Sequence, residues 1–400
     1  MLQGTLIRFP AWRARPSAEA IRPPAPQGHV PARDRPRRIL MTLDAVGGVW
    51  RYAVDLAGAL NRRGVRVILV GLGPEPLDGQ IAEVEAMADT ELAWLDLPLD
   101  WMAGSVEEVG PVAARIGDIA RAHDVDLVHL DLPSQAVGLD VHCPIVVASH
   151  SCVVTWWAAV RGGRVPDAWT WQEIANRRGF DLADLVLAPS RSHAAALVKA
   201  YGPIDRLHVV PNAADPGPQP AAKQCFALSA GRWWDEGKNG RVLDEAAALA
   251  DTPVLMAGAL RGPNGETAVF SHAETTGEMA SYALRALMAR AAVFAAPSLY
   301  EPFGLAVLEA ALAECALVVS EIPTFAEFWD GAALFADPRD PADFARMIDR
   351  FAADQGLARE YGQRARRRAR KFTLDRQADA VLAAYARVLR TAGAPLSVGG

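Results

Sequence analysis

The feature that most constrains this chain is a repeated alternation. From residue 38 onward, short unbroken apolar runs take turns with stretches of helical periodicity. "RILMTL" is followed, past "DAVGGV", by a segment in which Val49, Tyr52, Ala53, Leu56 and Leu60 fall on one helix face. Gly64 closes that segment and "VRVILVGLG" opens the next run. "ELAWLDL", "DLVHL", "PIVVASH", "DLVLAPS" and "LHVVPN" continue the pattern. A strand that is apolar at every position is buried on both faces, and parallel sheets covered by helices provide that burial. "ADPGPQPAAK" (214–223) interrupts the rhythm and reads as a linker. "FALSAGRWW", "PVLMAGAL", "AVFAAPS", "ALVVSEI" and "AALFADP" then restart it. The expectation is an α/β chain of two Rossmann-like doubly wound domains, 38–213 and 224–375, facing across a cleft. A helix over 376–390 is expected to return to the first domain, with a tail at 391–400. In such sheets ligands bind beyond the carboxyl ends of the strands.

Composition narrows the function classes. The chain of 400 residues is long for one typical domain. A net charge of -6 argues against nucleic-acid binding driven by bulk charge. Cys143, Cys152, Cys225 and Cys315 are scattered without a CxxC pair, which suggests a reducing compartment and no structural zinc. No apolar run approaches the roughly 20 residues that span a bilayer, so a cytoplasmic chain is expected. Residues 1–37 are dense in arginine and proline and read as a disordered basic tail. "GQRARRRARKF" holds a second cluster of positive charge. Either could make peripheral contact with an anionic membrane, although a charge run at helical spacing is more often a solvated face.

Two motifs carry the chemistry. In "SLYEPFGLAVLEA" (298–310), Glu301 stands just beyond a buried strand. Pro302 and Gly304 permit a tight turn, and a helix starts near Leu305. The first amides of a helix are free and carry partial positive charge, which suits a phosphate or a sugar oxygen. Glu301 and Glu309 flank that start and could each accept hydrogen bonds from hydroxyls. Paired surface glutamates are an equally good reading of the spacing alone. "SAGRWWDEGKNG" (229–240) places Arg232 and Lys238 around a glycine-bearing loop. Two such cations can neutralise a diphosphate leaving group without a metal.

Together these motifs resemble glycosyltransferase family 4, whose members are retaining enzymes of the GT-B fold. The likeness runs from Arg38 to about Arg390 and includes the early "GGV" loop. It implies a hexosyltransferase acting on a UDP-, GDP- or ADP-sugar and an acceptor glycan, lipid or small molecule, with no metal cofactor. It implies that Arg232 and Lys238 hold the diphosphate and that Glu309 holds the ribose. Glu301 and the backbone of Phe303, Gly304 and Leu305 would hold the transferred sugar and the phosphate. Gly47 and Gly48 would let the first loop approach the donor. His150, at the end of "VVASH", would reach the transferred sugar, although a lone histidine is usually structural. Trp156, Trp157, Trp169 and Trp171 crowd the next segment. They suit stacking on an acceptor and packing equally well.

Two look-alikes fail. "DVD" (124–126) mimics a metal-binding DxD but stands at the entry of a strand, away from the ligand end. "GLGPEP" (71–76) puts Pro76 where a dinucleotide fingerprint needs its third glycine. A nucleotide-sugar epimerase of the same shape and a silent sugar-nucleotide-binding protein remain as alternatives.

Overall fold

The computed structural model describes residues 35–392. The expected tails at 1–37 and 391–400 fall almost wholly outside the described residues.

Two parallel sheets form from the two sets of apolar runs. The first contains β1 (Arg38–Asp44), β2 (Arg66–Leu72), β3 (Thr90–Trp94), β4 (Leu127–Leu130), β5 (Ile145–Ala148), β6 (Leu185–Ala188) and β7 (Leu207–Val209). Its spatial order is β3-β2-β1-β4-β5-β6-β7. The second contains β8 (Gln224–Ala230), β9 (Val254–Ala257), β10 (Glu274–Gly277), β11 (Ala291–Ala296), β12 (Ala316–Ser320) and β13 (Ala333–Ala336), in the order β10-β9-β8-β11-β12-β13. β1 pairs along its whole length, from Arg38 opposite Arg66 to Asp44 opposite Leu72. Each sheet has a hydrophobic cluster on each face, as strands with no polar side demand.

The strand order reverses between β1 and β4 in the first sheet and between β8 and β11 in the second. At such a switch point the connections leave in opposite directions and open a crevice at the carboxyl ends. All the functional candidates named from the sequence, except the tryptophans, lie in the loops and helix starts beyond β1, β5, β8 and β11.

The last helix, Leu374–Ala392, crosses back. Its Ala378, Val381, Leu382 and Tyr385 are buried in the same cluster as Ile39, Met41, Leu56 and Leu60. Arg63 fastens it by bonds to Asp379 at 2.7 Å and Asp375 at 3.2 Å. Most of the arginine run lies on the helix Gln355–Ala369, and three of its charges are held by partners. Arg364 pairs with Glu360, Arg366 with Glu314, and Arg368 donates to the carbonyls of Phe328 and Asp330. Among the described residues no helix is long and apolar enough to cross a membrane.

One strand was missed from the sequence. β10, "ETTG", lies at the sheet edge with three of its four residues exposed, so no apolar run announces it.

Candidate active site in the interdomain cleft

The loop after β8 bears the two cations. Lys238 ends a single turn, Glu236–Lys238. Asp235 caps that turn by accepting the Gly237 amide at 2.8 Å. Asn239 follows in a left-handed conformation (φ 57) and donates to the carbonyls of Pro297 at 2.8 Å and Pro338 at 2.7 Å. The Leu299 amide in turn reaches the Gly237 carbonyl at 2.9 Å. The loops after β8 and β11 are thereby zipped together, and Lys238 Nζ meets Glu301 Oε2 at 2.6 Å. Glu301 is therefore not a lone rim carboxylate, since one of its oxygens is already committed.

Gly304 adopts φ +93, a left-handed conformation that glycine alone takes without strain. It caps the helix Leu305–Leu312. The amides of Leu305, Ala306 and Val307 precede the first intrahelical bond, which runs from Leu308 to Gly304. Glu309 lies one turn in. Its Oε1 accepts Arg285 Nη2 at 3.3 Å. Burial pushes its carboxyl up, and Arg285 pulls it back down.

The first domain closes over this surface. Thr155 Oγ1 meets Tyr300 OH at 2.7 Å, and Ser190 Oγ donates to the Pro302 carbonyl at 2.7 Å. Glu327 accepts the Ser192 amide at 2.8 Å. Gly47 lies directly against the Arg232 guanidinium, whereas Gly48 faces Leu305. Neither glycine has positive φ, so backbone conformation does not demand glycine at either position, and only at Gly47 would a side chain collide with a neighbour.

His150 follows β5, and its Nε2 pairs with Asp131 Oδ1 at 2.8 Å. Tyr52 packs against the His150 ring at 4.1 Å between centroids. Asp131, just past β4, is buried, and its Oδ2 has no hydrogen-bond partner among the described residues. Sequence reading missed it because a single aspartate after a strand carries no spacing signal. Neighbouring His129 is held neutral, since burial pushes it down to about 3. It bonds Tyr385 of the returning helix at 2.6 Å.

Burial pushes Asp131 up to about 6, against the pull of His150. Its ordinary value is about 4. Between those values the unfolded chain is ionised while the folded one keeps its proton, so stability falls as pH rises through that window and levels off above it. Asp131→Asn is expected to remove this slope. The same variant should lose the acid limb of turnover near pH 6, below which Asp131 gives up the charge that holds His150. Unfolding free energies and turnover from pH 4 to 8 check both, and unchanged profiles would contradict the assignment.

The tryptophans divide. Trp156 Nε1 donates to Asp235 Oδ1 at 2.8 Å across the cleft, and Arg161 stacks over Trp157 at 4.9 Å. Trp157 also packs on the first domain's core. Trp169 stays 37% exposed and Trp171 half-buried. A different pair bridges the domains: Trp101 stacks on Trp234 at 6.3 Å and 19°. Trp234 in turn lies 5.5 Å from the Arg232 guanidinium carbon. The two look-alikes are placed as expected. Asp126 binds the amides of Arg37 and Arg38 at the entry of β1, and the third glycine position of the failed fingerprint, Pro76, lies in the short loop between β2 and the helix Asp78–Glu85.

Known proteins with the same architecture show the same arrangement of domains. Residues 46–217 match the model of Glycosyltransferase Family 4, and residues 269–368 match that of Glycosyl transferases group 1. The alpha-maltose-1-phosphate synthase of Mycolicibacterium smegmatis is 24% identical over 365 residues, covering 77% of this chain and 93% of that protein. Sucrose-phosphate synthase from Thermosynechococcus elongatus superposes with a TM-score of 0.75 at 16% identity, over 89% of this chain and all of the other. Anabaena Alr3699/HepE in complex with UDP-glucose gives 0.68 at 17% identity, over 88% and 99%. Both family matches fall in order on two facing parallel-sheet domains, and on that ground the chain belongs to glycosyltransferase family 4 and is a glycosyltransferase of the GT-B fold.

Proposed function

We propose that this glycosyltransferase moves a hexose-type sugar from a nucleoside-diphosphate donor to an acceptor hydroxyl, with retention and without a divalent metal. The observation that carries the reading is the Lys238–Glu301 pair at 2.6 Å beside the free amide end of Leu305–Leu312. One strand-end site thus offers cations, amide donors and a carboxylate oxygen together. That set matches a donor with a diphosphate at one end and sugar hydroxyls at the other. The HepE complex with UDP-glucose supports a UDP-sugar among the candidate donors.

In this reading Arg232, Lys238 and the Gly304–Leu305 amides face the diphosphate and stabilise the charge that develops as it leaves. Glu309 accepts hydrogen bonds from the ribose diol. Glu301 and His150 hold the transferred sugar, and the acceptor lies on the first domain. The acceptor oxygen bonds the anomeric carbon on the face from which the diphosphate departs. The carbon–phosphate-oxygen bond breaks, and the departing phosphate takes the acceptor's proton, so no enzyme nucleophile is needed. The names of two similar proteins, a maltose-phosphate and a sucrose-phosphate synthase, make phosphorylated sugars the first acceptors to try. All four cysteines are unpaired, in keeping with a cytoplasmic setting.

Hydrolysis of a panel of UDP-, GDP- and ADP-sugars tests the donor. One member is expected to turn over, and equally well in EDTA; a metal-reversible loss would overturn metal independence. Glu309→Ala should weaken binding of the cognate nucleotide by roughly 1–3 kcal/mol, the cost of a lost hydrogen-bond pair. Calorimetric titration reads it, and unchanged affinity refutes the ribose role.

A further inference from the structure

The linker between the domains touches the nucleotide half of the cleft through one side chain. Arg285 lies on the helix Ser281–Arg290. Its Nη2 donates to Glu309 Oε1 at 3.3 Å, and its Nη1 stands 3.7 Å from Asp215 Oδ1. Asp215 belongs to the linker. The same Asp215 oxygen accepts the Gly217 amide at 2.8 Å and so shapes a tight turn. That turn lies along the Arg285 stem, since a Cβ on Gly217 would stand 3.7 Å from Arg285 Cδ. On the first domain, Asp55 adds its charge to both groups, raising Glu309 and drawn to Arg285. Arg51 fastens Asp55 at 2.7 Å and also reaches Glu83 at 2.7 Å.

We propose that Arg285 is a positioning residue that orients Glu309 for the donor nucleotide and ties that orientation to the linker turn 215–217. Binding of the nucleotide and seating of the two domains are thereby coupled. The inference rests on the reading of Glu309 as the ribose carboxylate. A carboxylate gripped at one oxygen keeps a defined plane, and Glu309 Oε2 stays without a hydrogen-bond partner among the described residues, open to a diol. A planar guanidinium can hold two carboxylates in a set relation, which a point-charge ammonium does less well. Linker residues absorb the rotation when two domains move. A change at Asp215 therefore alters the grip on Glu309, and by reciprocity the nucleotide biases the linker.

Calorimetric titration of the full chain with UDP, and with GDP and ADP in parallel, tests this. Arg285→Ala is expected to weaken the best-bound nucleotide about tenfold, the scale of a lost charged hydrogen bond. Arg285→Lys should recover part of that loss and serves if the alanine variant does not fold. Asp215→Asn should cost about threefold, and the double variant Asp215→Asn/Arg285→Ala should bind no more weakly than Arg285→Ala alone. A folded Arg285→Ala protein with unchanged affinity overturns the proposal, as does full additivity of the two losses. A purely structural role would lower the melting temperature and leave the affinity of the folded protein intact. Glu309→Gln separates the two ideas. If it leaves affinity unchanged, the ribose reading falls; if it weakens binding and Arg285→Ala does not, only the positioning role falls.

Discussion

Arg232→Ala is expected to lower turnover by roughly 10²–10³-fold while the protein stays folded, the usual effect of removing one preorganised charge from a transition state. The side chain is a third exposed, and its ion pair with Asp235 is long, at 3.4 Å. Its ring neighbour, Trp234, keeps the stack on Trp101 without it. Little packing is lost, so the melting temperature should barely move. Lys238→Ala makes a useful contrast, because it strips Glu301 of a partner at 2.6 Å and so perturbs two groups at once. Turnover and melting of the purified variants decide. An Arg232→Ala enzyme within tenfold of wild type would show that this guanidinium does not carry the leaving-group charge.

Gly47→Ala is expected to cost about 10²-fold in turnover, the scale of a misplaced catalytic group, with almost no loss of stability. Gly47 has φ -171, extended backbone open to any residue, so the substitution brings no backbone strain. Its new Cβ would run into the Arg232 guanidinium. That is the far end of a flexible side chain, so it moves aside, the fold survives, and Arg232 leaves its place. Gly48→Ala is the control. A Cβ there would meet Leu305 Cδ1 at 3.6 Å, ordinary contact, and a small effect is expected. Gly47→Ala in the Arg232→Ala background should add nothing further, since both act through one group. A separate loss in that background would mean that Gly47 meets the ligand itself.

The strand alternation and the helix start at Leu305 were legible in the sequence because each is written in consecutive residues. Apolar runs report burial on both faces of a sheet, and Pro302 with Gly304 reports a turn, whatever lies elsewhere in the chain. The edge strand β10 was not legible, because an exposed strand has no apolar run to show. The site itself was legible only as candidates. Which oxygen of Glu301 is free depends on Lys238, 63 positions away in the chain. Asp131 and His150 meet because β4 and β5 are neighbours in the sheet. Gly47 and Gly48 are alike as a sequence pair, yet one faces Arg232 and the other Leu305. Trp156, Trp157, Trp169 and Trp171 are close in sequence, yet only Trp156 among them bonds across the cleft, and the stacked pair that spans it is Trp101 and Trp234, far apart in the chain. Local pattern sets where each chain segment ends. Which side chains then share a crevice is decided by two sheets, their switch points and the angle at which they face, and no short stretch of sequence encodes that angle.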